Sequence, residues 1–147
     1  LHEDGRNGTG EQFLYIERFF LMRKHRVFGA FLHKIWASDP EGVHDHPWWN
    51  FSLVLRGGYW EEDHTGRRKW MGPGSMRFRT ARELHRLELD PEQTEPTISF
   101  FVYGKRERDW GWLEHGKWIR SPDNAAARFE PLRGFLFPHA DELKVSE

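Results

Sequence analysis

The stretch GVHDHPWWNFSLVLRGGYWEE, residues 42–62, sets two histidines one residue apart just ahead of an alternating run. Side chains alternate along an extended chain, so residues i and i+2 point to the same side. His44 and His46 can therefore face one point in space. A metal ion needs that convergence, with imidazole nitrogens about 2.0–2.1 Å from it. An H-x-H pair alone is a weak signal in a chain with 9 His. Its meaning turns on whether the chain supplies a third ligand and a fold to hold all three.

The fold is legible around this stretch. In 50–56, Phe51, Leu53 and Leu55 alternate with Asn50, Ser52 and Val54. In 27–36, Val27, Phe31, His33 and Ile35 share one parity; in 75–79, Met76 and Phe78 alternate with arginines; in 85–89, His85, Leu87 and Leu89 share a side. Residues 97–103, TISFFVY, are β-branched and aromatic. Turn residues recur between these runs, as in SDPEG, RGG, HTGRR, GPG and DPEQTEP. Short strands at this spacing predict an all-β sandwich or barrel. The segment before GRRKWMGPG predicts a hairpin with DHTG at its tip. Residues 11–23 fit a short amphipathic helix or a long first strand equally well. DNAAARFE predicts a turn or two of helix capped by Asp123 or Asn124. The expected organisation is a flexible segment over 1–12, a barrel over 13–120, and an extension over 121–147 tied back onto the barrel by Phe135, Leu136 and Phe137.

Composition narrows the function. The 147 residues suit one domain able to enclose a core. Cys is absent, so there is no disulfide framework and no thiol chemistry, which fits a cytoplasmic protein. No apolar run approaches the roughly 20 residues of a membrane helix, and the opening LHEDGRNGTGEQ does not resemble a signal peptide. With 22 Lys and Arg against 23 Asp and Glu, the chain lacks the basic field that grips nucleic acid. Eight Trp and 12 Phe are many for this length; they read as core and partner interface more readily than as stacking platforms for bases. No G-x-S-x-G, nucleophilic triad or phosphate loop is present.

The stretch resembles the first motif of the cupin superfamily, H-x-H followed by a Glu and then a Gly. Here His44-Asp45-His46 is followed by Asn50 at the Glu position and by Gly57. The second cupin motif runs from Gly through Pro-x-Gly to a His. Gly74 and His85 fall in register with it, while Thr80 and Arg82 replace the Pro and the Gly. The phrase HDHPW, with the Gly-Gly-Tyr that follows, also looks like a set of small uncharacterised cupin-domain proteins of phages and bacteria.

The resemblance implies a single-domain cupin, a double-stranded β-helix or jelly-roll barrel. It also implies one divalent transition metal (Fe, Zn, Mn or Ni) on His44, His46 and His85. Asn50, lacking the charge of the usual Glu, would be a weak ligand or would stand behind the three histidines. The leading expectation is a metal-dependent enzyme acting on a small anionic molecule, with three-His Fe(II) dioxygenase chemistry first. Zn-, Mn- or Ni-dependent isomerase or lyase chemistry fits the same geometry. The alternatives are a non-enzymatic cupin that binds a small ligand, and a phage-associated structural or interaction protein. Asp45 should point away from the ligands and orient a turn or an imidazole. Arg77 and Arg79 could hold a carboxylate or phosphate if they face inward; the bend at 80–84 leaves their side open. His33 shares the inward parity, either as a hydrogen-bonded core histidine or as a substrate contact. Glu61 and Glu62 read as an exposed strand end. His2, His64, His115 and His139 read as solvated. With the polar side of 50–56 facing the site, Phe51, Leu53 and Leu55 face outward and need cover, which predicts a homodimer or the chain's own termini over them. No nucleic-acid or membrane partner is expected.

Overall fold

The inward parity of Phe31, His33 and Ile35 is realised in a computed structural model that describes residues 2–6, 12–22, 28–39 and 42–121. Its strands are β1 (His2–Arg6), β2 (Gln12–Met22), β3 (Gly29–Ile35), β4 (Asn50–Arg56), β5 (Tyr59–Asp63), β6 (Arg68–Met71), β7 (Met76–Arg79), β8 (His85–Glu88), β9 (Thr97–Tyr103), β10 (Gly111–Glu114) and β11 (Lys117–Arg120). No helix occurs among the described residues, so none there is long and apolar enough to cross a membrane. The 11–23 stretch resolves as β2. Residues 2–6, within the segment expected to be flexible, form β1, paired antiparallel to β2. The extension over 121–147 and its expected helix lie almost wholly outside the described residues.

One sheet runs β1-β2-β3-β9-β4-β7 and a second runs β6-β5-β8, with β10-β11 as a further pair. His44 bridges to both His85 and Trp112, and so joins β8 to β10. Residues opposite one another in a ladder share a face. Arg18, His33, Ser99 and Val54 form one inward row across β2, β3, β9 and β4. Tyr103, Asn50 and Arg79 form another across β9, β4 and β7. Ile16, Ile35, Val54, Tyr59, Met71 and Leu89 make the apolar core between the sheets. Tyr15 and Leu87 pack against it.

Glycines mark two turns for a steric reason. Gly57, between β4 and β5, has φ +75°, and a Cβ there would lie 2.9 Å from Thr97 Oγ1. That hydroxyl is already committed: it donates to Gly58 O at 2.7 Å and accepts from Gly58 N at 3.0 Å. Gly74, with φ +85°, turns the chain into β7, and its N–H donates to Val54 O at 2.8 Å. The expected hairpin is β5–β6. Asp63 Oδ1 caps its tip, accepting from Thr65 N at 2.8 Å and Arg67 N at 3.2 Å.

Candidate metal centre

The H-D-H segment sits in extended backbone before β4. A pair of 2.9 Å hydrogen bonds, His44 N to His85 O and His85 N to His44 O, pins it to β8. Asp45 points the other way, as the i, i+2 alternation requires, and is 1 % exposed. Among the described residues it makes no hydrogen bond to an imidazole. It accepts instead from Gly111 N at 2.8 Å, Trp118 Nε1 at 2.9 Å and Arg108 Nη1 at 2.6 Å. The histidine segment is thereby fixed between β8 on one side and β10–β11 on the other.

This frame brings His44, His46 and His85 together, with one candidate ligand atom from each within 4.8 Å of the others. Ring centroids stand 5.2 Å apart for His44–His46 and 5.1 Å for each of the pairs with His85. His46 Nε2 and His85 Nε2 are 2.9 Å apart. Two nitrogens on adjacent octahedral positions of one ion, each about 2.1 Å from it, stand about 3 Å apart, so this spacing fits a shared ion. Burial, His85, His44, Arg79 and Arg18 all push the His46 pKa well below 6.5. Burial and Arg79 bring His85 to about 4, against the opposing pull of Glu61. Both rings are therefore neutral at pH 7, with a lone pair available.

Behind the rings stands a layer that the sequence reading partly missed. Glu61, expected at an exposed strand end, is buried at 9 % exposure. Its Oε1 lies 2.7 Å from Arg79 Nε and 3.4 Å from His85 Nδ1. Burial alone would raise its pKa, but His85 and Arg79 outweigh it and bring the carboxyl to about 2. Parity with buried Tyr59 was the available signal. Asp39, also unforeseen, accepts from Leu87 N at 2.7 Å and from the Tyr15 hydroxyl. It also faces His44 Nδ1, 3.9 Å from Oδ2.

Of the two candidate arginines, both face inward, because Arg77 pairs with Ser52 and Arg79 with Asn50. Met76 and Phe78 point out, 67 % and 55 % exposed. Only Arg79 is fully enclosed. Burial works against its charge, but Glu61 more than offsets this and raises its pKa. Its Nη1 also reaches Ser52 Oγ at 3.0 Å and Asn50 Oδ1 at 3.3 Å. Arg77 lies at the rim, paired with Glu83 at 2.9 Å. Asn50 is fully buried with its oxygen turned to Arg79, and its Nδ2 has no hydrogen-bond partner among the described residues. His33 is buried, and its Nε2 likewise has no partner. His64 and His115 are exposed.

The three histidines open on a cavity of about 280 Å³ whose lining also includes Arg79, His33, Arg18, Asp39 and Trp48. No protein-family model and no curated protein matches the chain. Solved structures do match it in shape. A candidate mannose-6-phosphate isomerase from Ralstonia eutropha JMP134 superposes with a TM-score of 0.54 at 20% identity, over 61% of this chain and 84% of that one. A protein with a double-stranded β-helix domain from Klebsiella pneumoniae gives 0.54 at 14% identity, over 68% and 85%. The fold is a double-stranded β-helix. The DMSP lyase from Ruegeria pomeroyi DSS-3 gives 0.55 at 13% identity, over 76% of this chain and 60% of the lyase. At these identities the likeness establishes the double-stranded β-helix fold and leaves the chemistry to the residues inside it.

Proposed function

We propose that this cupin barrel is a metal-dependent enzyme that transforms a small anionic molecule at a centre held by His44, His46 and His85. One observation carries the reading: three imidazoles from two separate segments converge on the cavity, two of their nitrogens 2.9 Å apart. Bound there, a divalent ion would supply Lewis acidity or, as Fe(II), a redox centre for oxygen chemistry. An all-imidazole donor set suits Fe, Zn and Ni; Mn, which favours oxygen ligands, fits less well. Iron would direct the reading to a dioxygenase, zinc or nickel to an isomerase or lyase. Proteins of this fold bear both of the latter names.

The chain's own residues prepare the site. Burial keeps His46 and His85 unprotonated. Glu61 stands by His85 Nδ1, which leaves Nε2 for the ion, the usual arrangement of a carboxylate behind a ligating imidazole. Asn50 brings no charge, and Arg79 is neutralised by Glu61. A divalent ion would therefore keep its double charge towards the cavity, which favours an anion. Protein purified without a His-tag or chelator should carry about one transition-metal ion per chain by elemental analysis. Replacing His44, His46 or His85 by Ala should remove it. Full occupancy in a His44→Ala/His46→Ala double variant would overturn the assignment.

One observation favours a second reading, an interaction protein. The outer face of the six-stranded sheet carries Phe19, Met76 and Phe78, each 45 % exposed or more. Metal-free protein that assembles through this face would support that reading over the enzymatic one.

A further inference from the structure

The cavity has a second wall that the metal reading does not use. Arg18 and His33 are register partners on β2 and β3, and both line the cavity. His33 lies between two rings, Phe31 at 5.5 Å and Phe101 at 4.8 Å, tilted by only 24° and 25°. Tyr103 extends the stack on the far side of Phe31, at 5.1 Å and 11°. It packs so tightly over the β3 backbone that a Cβ on Gly29 would sit 2.5 Å from its ring. The result is a nearly parallel run of four rings. The Arg18 guanidinium carbon lies 6.0 Å from the Phe31 centroid, over its ring. Phe101, 6.5 Å from His46, spaces this wall from the histidine centre.

Two features point to a ligand here. His33 Nε2 and Trp48 Nε1 are buried without hydrogen-bond partners among the described residues, and both side chains line the cavity. Buried polar nitrogens are rarely left unpaired, because each forfeits its bonds to water. Burial and Arg18 also hold His33 well below its ordinary pKa, so its ring is neutral. It can therefore offer an N–H beside the guanidinium. Arg18 stays cationic, its pKa lowered only to about 10, chiefly by burial. A cation and a neutral N–H side by side match the oxygens of one carboxylate.

We propose that Arg18 and His33 form a carboxylate-binding subsite, and that the flat aromatic wall beside it selects a substrate with a planar apolar body. This rests on the metal reading only for the other end of the substrate, which would meet the ion. It disfavours a sugar phosphate. Against Phe31 and Phe101 a flat apolar body buries surface, whereas a hydroxyl would lose its bonds to water there, although Tyr15, Ser52, Tyr59 and Ser99 bring hydroxyls to the same lining.

The test uses 3-phenylpropanoate, a carboxylate with a flat apolar ring and no second donor group with which to chelate, with binding measured by calorimetry alongside metal content. Wild type should bind it, and Arg18→Gln and His33→Phe should each weaken binding at least tenfold with metal content unchanged. Arg18→Lys, which keeps the charge, should recover part of the affinity and guards against a folding defect in Arg18→Gln. Glucose 6-phosphate should fail to displace the probe. No binding by wild type, equal affinity in folded Arg18→Gln, or tighter binding of glucose 6-phosphate would overturn the subsite. Probe binding by protein that carries no metal would instead uphold the subsite and sink the metal centre.

Discussion

The Glu61–Arg79 pair should be worth a sizeable part of the stability of this barrel, and Glu61→Gln isolates it. Arg79 is 2 % exposed and Glu61 9 %, and their 2.7 Å contact links β5 to β7, strands of opposite sheets. Gln keeps the shape and removes the charge, leaving a buried guanidinium without its counter-ion. Loss of one partner from a buried pair costs about 3–5 kcal/mol. The carboxyl, held at about 2 instead of 4.5, gives about 3 kcal/mol by linkage. Since Glu61 is not wholly enclosed, we expect about 2–4 kcal/mol out of the 5–15 typical of a domain. The sign with pH follows. The folded pKa lies below the ordinary one, so the stabilisation is complete above about pH 4.5 and drains away as pH falls towards 2. Urea unfolding of wild type and Glu61→Gln should differ at pH 7 and draw together in acid. Arg79→Met should also destabilise, and the double variant should lose less than the two single losses added together. A cost under about 0.5 kcal/mol for Glu61→Gln, or strict additivity, would refute the coupled pair.

Other outcomes follow from single contacts. Asp45→Asn removes the charge from three hydrogen bonds at a buried site; it should cost about 2–3 kcal/mol in chemical denaturation and weaken metal retention by displacing both flanking histidines. Gly57→Ala should cost more than Gly66→Ala in thermal melts. Both have positive φ, worth about 1–2 kcal/mol for an L side chain, but only at Gly57 does the new Cβ meet Thr97. The homodimer expected from the sequence would cover the outer face holding Phe19, Met76 and Phe78. Light scattering should give twice the chain mass, and Phe78→Glu should halve it; a monomeric wild type at high concentration would end that expectation.

The barrel was readable because its strands alternate. His33, Leu87 and Asn50 sit on the faces their parity implied, and the three-histidine constellation followed from H-x-H plus one residue at motif spacing. What stayed hidden has physical reasons. Residues 11–23 contain apolar side chains at both helical and strand spacing, so Arg18 could not be assigned to a face. Arg77 and Arg79 became inward only through the ladder with β4, a non-local pairing that no local pattern encodes. Glu61 looked exposed because charge is usually a sign of the surface, yet a charge can lie inside when its counter-charge arrives from another strand. β10 and β11 were not foreseen; in them Trp112 adjoins Leu113 and Trp118 adjoins Ile119, so no alternation marks a strand.

The charge balance inside the barrel ties these observations together. The resemblance to metal-binding cupins led to a carboxylate at position 50, and this chain has an amide there. The carboxylate is not lost from the site; it comes from β5 as Glu61, where Arg79 neutralises it before it can act on an ion. Asn50 accepts from the same guanidinium, so an Asn50→Glu side chain would compete with Glu61 for Arg79 as well as approach the histidines. Arg79, lying next to His85, is therefore the residue that decides how much negative charge the centre feels. With it in place, Glu61 stands 3.4 Å from His85 Nδ1 and would leave uncancelled the charge of an ion bound by the histidines. Arg18 adds a second cation on the same cavity, with Asp39 as the one carboxylate on the lining. Glu61 and Asp39 thus offset the two arginines, so the net positive charge that the proposed anion would meet is that of an ion on the three histidines, with Arg18 as the cation set along the aromatic wall.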